Sequence, residues 1–365
     1  MSQFSNFDFQ GKSVLLRVDF NVPFNDAMEI TDDTRMQRAL PTIKTILDKG
    51  GKLVVMSHLG RPKGEPQDKF SLKHILTHLS SLTGKDVKFA ESIEAAEGLK
   101  ADMQNGDIAL LENVRFHKEE TAGDKQFAKQ LASLGEVYVN DAFGTAHREH
   151  ASTAVVAQSF NADSKMFGLL MEAEVNNANK VLNEAEKPFT AILGGAKVSD
   201  KILIIEKLLD VADNIIIGGG MAYTFLKAQG KEIGNSLCEE DKLNLANELM
   251  VKAKANNVKL LIPSDSTVAD DFSNDANTKS SSNDSIESGW MGLDIGPESV
   301  ATFSEVIRNS KTILWNGPMG VFEMEKFQAG TKAVALEIAE ATKKGAFSLI
   351  GGGDSVAAIN KFELA

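Results

Sequence analysis

Residues 190–209 read TAILGGAKVSDKILIIEKLL, and this stretch decides the fold class. Thr190–Leu193 is an apolar run of strand length, Gly194 and Gly195 break it, and Asp200–Leu209 continues with helical spacing of apolar residues. A strand that runs through glycine into a helix is the first half of a βαβ unit, which implies a parallel sheet. The pattern recurs in both directions. Strands are expected at Val14–Val18, Leu53–Met56, Ile108–Leu111 and Val137–Val139 before it. After it they are expected at Asn214–Ile217, Lys259–Ile262, Thr312–Trp315 and Phe347–Ile350. Helical patterns fall between them, at Arg35–Lys49, Leu72–Leu82, Asp124–Leu134 and Glu240–Asn256. Strands this uniformly apolar predict sheets covered on both faces, an α/β fold.

A chain of 365 residues is long enough for two domains. Phe167–Glu186 reads as one long helix stopped by Pro188, and it lies near the middle of the chain. It is the expected connector. The domains are then 1–168 and 188–365, joined through 169–187. The Ser-, Asn- and Asp-rich stretch Asp270–Ser288 reads as a surface loop without chemistry.

Composition narrows the partners. The net charge is −12 and the pI near 5.1, whereas nucleic acid and anionic membranes call for a broad basic surface. Neither is expected as a partner. Cys238 is the only cysteine, so no internal disulfide can form, which fits a reducing cytoplasm. The first residues, Met1-Ser2-Gln3-Phe4-Ser5, lack a basic signal-peptide start, and no run approaches the ~18 apolar residues of a membrane span.

Charge within the chain is distributed unevenly. Of seven arginines and six histidines, all but Arg308 lie at or before position 150. Arginine presents a planar fork of donors that matches phosphate and carboxylate oxygens. The second half instead ends its strands in glycine, at Gly194-Gly195, Gly218-Gly219-Gly220, Gly317 with Gly320, and Gly351-Gly352-Gly353. Glycine after a strand lets backbone N–H groups approach a phosphate closely. One half therefore suits a small, highly charged substrate and the other a nucleotide.

Polar residues collect where strands end, which is where doubly wound sheets bind ligands. Asp19-Phe20-Asn21 follows the first strand, Ser57-His58-Leu59-Gly60-Arg61 the second, and Arg115 and Asn140-Asp141 the next two. Lys197 and Lys201 stand four apart after Gly194-Gly195, which would put them on one helix face, although two solvated lysines are the plainer reading. Asp354 follows three glycines at an expected helix start, where it can either cap the helix or hold Mg²⁺ beside a phosphate. Glu323 ends the turn-rich run Trp315–Glu323 and could reach ribose hydroxyls. His147 and His150 read as a structural or surface pair, and His74 and His78 as a solvated helix face rather than metal ligands. Neither a Walker A loop, a zinc-protease H-E-x-x-H, nor a G-x-S-x-G elbow occurs.

Together these segments resemble the phosphoglycerate kinase family. The resemblance is carried by RVDFNVP at 17–23, HLGRP at 58–62, LENVRF at 111–116, DAFGTAHR at 141–148, GGAKVSDK at 194–201, LWNGPMGVFE at 314–323 and GGGD at 351–354. It implies two Rossmann-like three-layer domains joined by a hinge helix. It also implies that Asp19, Phe20, Asn21, Arg35, His58, Leu59, Gly60, Arg61, Arg115 and Arg148 bind 3-phosphoglycerate or 1,3-bisphosphoglycerate. Lys197, Lys201, Asn316, Glu323, Gly352, Gly353, Asp354 and Ser355 would hold Mg²⁺ with ATP or ADP, Asp354 being the metal ligand. Ser355 stands where the family usually has threonine. The implied reaction is phosphoryl transfer to a carboxylate that is already ionised at neutral pH, so no general base is required. Arg35 and Lys201 would neutralise charge on the transferred group as the domains close. The family implies a cytoplasmic monomer.

Two other classes are weighed against this. A dinucleotide-dependent dehydrogenase would need a G-x-G-x-x-G after its first strand, and none is there. A binding protein without turnover is the other. Family members continue past the helix holding Asp354 through a further strand with a glycine-rich loop and a tail that packs on the N-terminal domain. Since this sequence stops at Ala365, an exposed sheet edge, weak nucleotide binding and low turnover are expected of it.

Overall fold

The computed structural model describes residues 3–146 and 148–364. His147 and the terminal residues lie outside them. The chain divides into two compact units, 1–176 and 177–365.

The first unit is built on a six-stranded parallel sheet in the order β3-β4-β2-β1-β5-β6. Its strands are β1 (Ser13–Arg17), β2 (Lys52–Met56), β3 (Val87–Ala90), β4 (Ile108–Leu111), β5 (Val137–Asn140) and β6 (Lys165–Phe167). Alternate residues of one strand enter different cores. Val14, Leu16, Leu53, Val55, Ile108 and Leu110 pack on one side of the sheet. Leu15, Val54, Met56, Ala109, Leu111 and Tyr138 pack on the other. Period-two side chains that are apolar on both faces require helices on both faces. Each such Val or Leu contributes about 1.5–3 kcal/mol of burial. β1 sits centrally between β2 and β5, so the chain reverses its winding beside it and opens a crevice at the strand ends.

The second unit repeats the plan in the parallel order β10-β8-β7-β15-β16. Its strands are β7 (Phe189–Leu193), β8 (Asn214–Ile217), β9 (Glu232–Ile233), β10 (Lys259–Leu261), β11 (Asp265–Ala269), β12 (Thr278–Ser282), β13 (Ser285–Ile286), β14 (Met291–Ile295), β15 (Thr312–Asn316) and β16 (Phe347–Gly351). Again the faces separate, with Ala191, Leu193, Ile215 and Ile217 in one core. Ile192, Ile216, Ile313 and Trp315 enter the other.

Three features differ from the sequence-based expectation. The stretch Asp270–Ser288 is not a plain loop, because β12 pairs antiparallel with β11 from Asp265↔Ser282 to Ala269↔Thr278, and β13 pairs with β9. β14 completes a three-stranded antiparallel sheet beside the main parallel one. Serine-rich β12 has alternating exposed and half-buried residues, so it carried no apolar signal. The helix expected from Phe167 begins at Leu169 and ends at Asn183, since Phe167 pairs with Asn140 in the sheet. The helix expected from Asp200 covers only Ile202–Leu208.

The start of the Leu169–Asn183 helix is held by two side chains. Its Leu169 N–H donates to Thr42 Oγ1 at 2.9 Å, and its Met171 N–H donates to Asp141 Oδ1 at 3.0 Å. Gly168 has to be glycine here, because a Cβ would lie 2.4 Å from Asp141 Oδ1.

Candidate active site

In the first unit, the carboxyl ends of β1, β2, β4 and β5 bring polar residues from distant parts of the sequence together. Asn21 Oδ1 accepts from Gly60 N–H at 2.7 Å, which joins the loop after β1 to the loop after β2. Ser57 Oγ accepts from Phe20 N–H at 2.8 Å. Asn113 donates to Leu59 O at 2.7 Å and Arg115 to Gly60 O at 2.9 Å, which attaches the loop after β4. Gly144, from the loop after β5, approaches so closely that a Cβ would lie 2.7 Å from Asp19 Oδ2. Arg35 reaches the same carboxylate from helix Thr34–Asp48, with Nη1 at 2.7 Å from Asp19 Oδ2, and leaves half its side chain exposed.

This cluster is strongly cationic. Arg115 is buried, its Nε has no hydrogen-bond partner, and burial with Arg17 and Arg148 nearby pulls its pKa down to about 10. Burial, then Arg17, Arg115 and Arg35, hold His58 far below the ordinary histidine range. His58 is therefore neutral. His150 is likewise lowered, first by burial, and its Nδ1 lies 3.7 Å from the buried Glu120. Arg61 and Arg148 are exposed at the rim. Phe20 and Leu59 are core side chains, at 0% and 2% exposure, so only their backbone can face a ligand. Sequence reasoning gave none of Arg17, Ser57, Asn113 and Glu120 a role here, although Ser57 lies in the polar run after the second strand and Arg17 and Asn113 in the motifs RVDFNVP and LENVRF. Arg17 was the most legible of these, a charged residue ending the otherwise apolar strand SVLLR.

In the second unit, glycines line a cavity of about 480 Å³. Gly195 N–H donates to Pro318 O at 3.1 Å and Gly219 N–H to Met319 O at 3.0 Å, so three loops share one floor. A Cβ on Gly194 would lie 2.0 Å from Pro318 O. The wall is apolar, formed by Leu237, Phe272, Leu293 and Val321, while Glu323 and Asp354 bring charge to the lining. Phe272 lies inside the stretch taken from sequence to be without chemistry. β14 also brings Asp294 to the lining; it is 2% exposed and accepts from Ile295 N–H at 2.9 Å and Gly330 N–H at 2.7 Å. Burial pushes its carboxyl up to about 7.

The nucleotide-side candidates separate into groups. Lys201 is half-buried and donates to Asn316 Oδ1, and burial lowers its pKa against the opposing pull of Asp200 and Asp354. Lys197 is exposed in the loop ahead of the helix, so the two lysines do not share a helix face as their spacing suggested. Gly352 and Gly353 are exposed at the end of β16, where Gly352 occupies the cap position of helix Gly353–Lys361. Asp354 lies in that helix's first turn and makes no cap hydrogen bond. Ser355 is fully buried, and its Oγ accepts from Gly317 N–H at 2.7 Å. Its side chain braces a neighbouring loop from inside. Among the described residues no three His, Cys, Asp or Glu side chains form a metal cluster.

The phosphoglycerate kinase family model matches residues 4–365. The chain belongs to the phosphoglycerate kinase family. It is 52% identical to the phosphoglycerate kinase of Porphyromonas gingivalis over 98% of this chain and 92% of that protein. It is 54% identical to the cytosolic phosphoglycerate kinase 3 of Arabidopsis thaliana, covering 98% and 89%. The solved phosphoglycerate kinase from Coxiella burnetii superposes with a TM-score of 0.89 at 41% identity, covering 99% of this chain and 90% of that one. Phosphoryl transfer between 1,3-bisphosphoglycerate and ADP, giving 3-phosphoglycerate and ATP, is thus the activity of the chain, and the dehydrogenase and binding-only readings are not favoured. The two units are the paired α/β domains of the phosphoglycerate kinase fold.

Proposed function

We infer that the arginine-rich crevice of the first unit is the phosphoglycerate site and the glycine-floored cavity of the second is the nucleotide site. The observation that carries this is the convergence of Arg35, His58, Arg115 and Arg148 on the ends of one sheet in an acidic protein. In that site Asp19, Asn21, Arg35, His58, Arg61, Arg115 and Arg148 bind through side chains, and Phe20, Leu59 and Gly60 through the backbone. In the nucleotide site, Lys197, Lys201, Gly352, Gly353 and Asp354 face the phosphates, with Asn316 positioning Lys201. Glu323 reaches the ribose, and Ser355 acts indirectly by bracing Gly317.

An exposed carboxylate beside the glycines fits Mg²⁺ that arrives on a nucleotide, because Mg²⁺ is commonly held by one or two carboxylates, water and the substrate phosphates. Asp354 is the carboxylate that would hold it, and the bound ion would supply charge neutralisation at the phosphates. In the ATP-consuming direction, a carboxylate oxygen of 3-phosphoglycerate forms the new bond to the γ-phosphorus. The bond to the bridging oxygen breaks, and its electron pair leaves with ADP. No proton has to be removed from the nucleophile, so cations replace a general base. Arg35 and Lys201 supply them. The chain acts on small molecules as a cytoplasmic monomer, without nucleic acid or membrane. Its net charge of −12 speaks against nucleic acid and anionic membrane as partners. The test is ATP formation from 1,3-bisphosphoglycerate and ADP with and without Mg²⁺. Turnover that ignores Mg²⁺, or that is lost when only a distant histidine is replaced, would refute the mechanism.

A further inference from the structure

Arg17 has no route to solvent or ligand, being fully buried at the end of β1. Its guanidinium is used in three directions. Nη1 donates to Val18 O, Nε donates to Ser152 Oγ at 2.8 Å, and Nη2 lies 3.2 Å from His58 Nδ1. Behind it, Ser152 Oγ donates to Glu120 Oε1 at 2.6 Å, and Ser152 N–H donates to Glu120 Oε2 at 2.8 Å. Glu120 is fully buried as well. A buried cation and a buried carboxylate are thus joined through one hydroxyl. Burying both charges is costly unless the geometry serves something beyond stability.

An arginine N–H can only donate. His58 Nδ1 must therefore offer its lone pair, and the single imidazole proton resides on Nε2. We propose that Arg17, held in place by Ser152 and Glu120, is a positioning residue that locks His58 in its Nε2–H tautomer, making His58 a neutral donor toward an oxygen of the phosphoglycerate. Nε2 lies 3.9 Å from Asp19 Oδ1, beyond hydrogen-bond reach, which leaves its proton for a ligand. A second proton would have to enter at Nδ1, against the Arg17 guanidinium. The other groups facing the ring are Arg35, Arg115, His150 and Asp19. Of these, Arg35, Arg115 and His150 oppose protonation as well. His58 consequently donates with the same proton over the whole neutral range. A site made only of arginines could not place a short, uncharged donor among them.

The role toward phosphoglycerate rests on the site assignment above, whereas the tautomer itself does not. The 365-residue chain, labelled with ¹⁵N in its histidines, is examined without ligand by two-bond ¹H–¹⁵N correlation from pH 5.5 to 8.5. His58 is expected to show a bare Nδ1 and a protonated Nε2 throughout. In Arg17→Met, His58 should exchange between tautomers, while burial with Arg115 and Arg35 still holds it below the ordinary histidine range. The KM for 3-phosphoglycerate should rise about tenfold at pH 8, as for one lost charge-assisted hydrogen bond, while the KM for ATP stays put. Because Arg17→Met strands Glu120, Arg17→Met/Glu120→Gln removes both charges together, and Ser152→Ala loosens Arg17 while keeping them. A protonated Nδ1 in the wild type, or a His58 tautomer unchanged in all three variants, overturns the lock. Loss of the lock with an unchanged KM for 3-phosphoglycerate leaves it standing and overturns the placement of His58 at the substrate.

Discussion

Replacing Asp294 by asparagine should reverse the order of stability of mutant and wild type as pH rises. The carboxyl is pushed from its ordinary 3.8 up to about 7 by burial. Between those values the folded state keeps a proton that the unfolded state has released, so stability is complete below pH 3.8 and is lost as pH rises through 7. At 1.36 kcal/mol per pH unit the loss is about 4 kcal/mol. Asparagine carries no such slope. It does forfeit a hydrogen bond, because both carboxyl oxygens accept backbone N–H groups and an amide NH₂ must face one of them. That costs about 1–3 kcal/mol at every pH. The mutant should therefore be the less stable at pH 4 and the more stable at pH 8, crossing at about pH 5–6. Urea unfolding followed by tryptophan fluorescence suits the purpose, because both tryptophans, Trp290 and Trp315, belong to the second unit. Taking mutant minus wild type removes every other titration. Parallel curves from pH 4 to 8 would show that Asp294 is not held protonated and that the reasoning fails.

Other expectations concern the site itself. Arg35→Ala should lower kcat on the order of 10²-fold or more with much less effect on ADP affinity, and steady-state kinetics at saturating substrate decides it. Asp354→Asn should weaken Mg·ADP binding in calorimetric titration and leave 3-phosphoglycerate binding near normal. Unchanged Mg·ADP affinity would mean that the metal is not bound there. Gly194→Ala forces a methyl to within 2.0 Å of Pro318 O, so nucleotide affinity and the melting temperature of the second unit should both fall, while 3-phosphoglycerate affinity is retained.

The sequence was most legible where one physical cause dominated. β4 and β8 run from Ile108 to Leu111 and from Asn214 to Ile217 as expected, because buried parallel strands are almost wholly apolar. β12 escaped notice because strand pairing there involves serines at a half-exposed surface, and nothing in serine marks a strand. β6 went unseen, and its last residue Phe167 was placed in a helix, because Lys165-Met166-Phe167 is too short to show a period. In the site, residue types that bind anions stood out, and residues that act by holding others did not. Asn113 and Ser57 reveal themselves only through the backbone groups they satisfy. Ser355 was a nucleotide contact only by the family resemblance, and its buried side chain accepts from Gly317 N–H instead of facing outward.

That inward turn bears on how the chain ages. Asn316-Gly317 is the kind of dipeptide in which the glycine nitrogen attacks the asparagine side chain, closes a succinimide ring and expels ammonia. The attack needs a nitrogen free to shed its hydrogen and swing toward the amide carbon. Here the Gly317 N–H is committed to Ser355 Oγ at 2.7 Å, and the Asn316 amide oxygen is engaged by Lys201. One hydroxyl in the interior thereby guards a chemically fragile bond that lies beside Lys201. The same contact that shapes the loop also slows the ageing of the residue next to it.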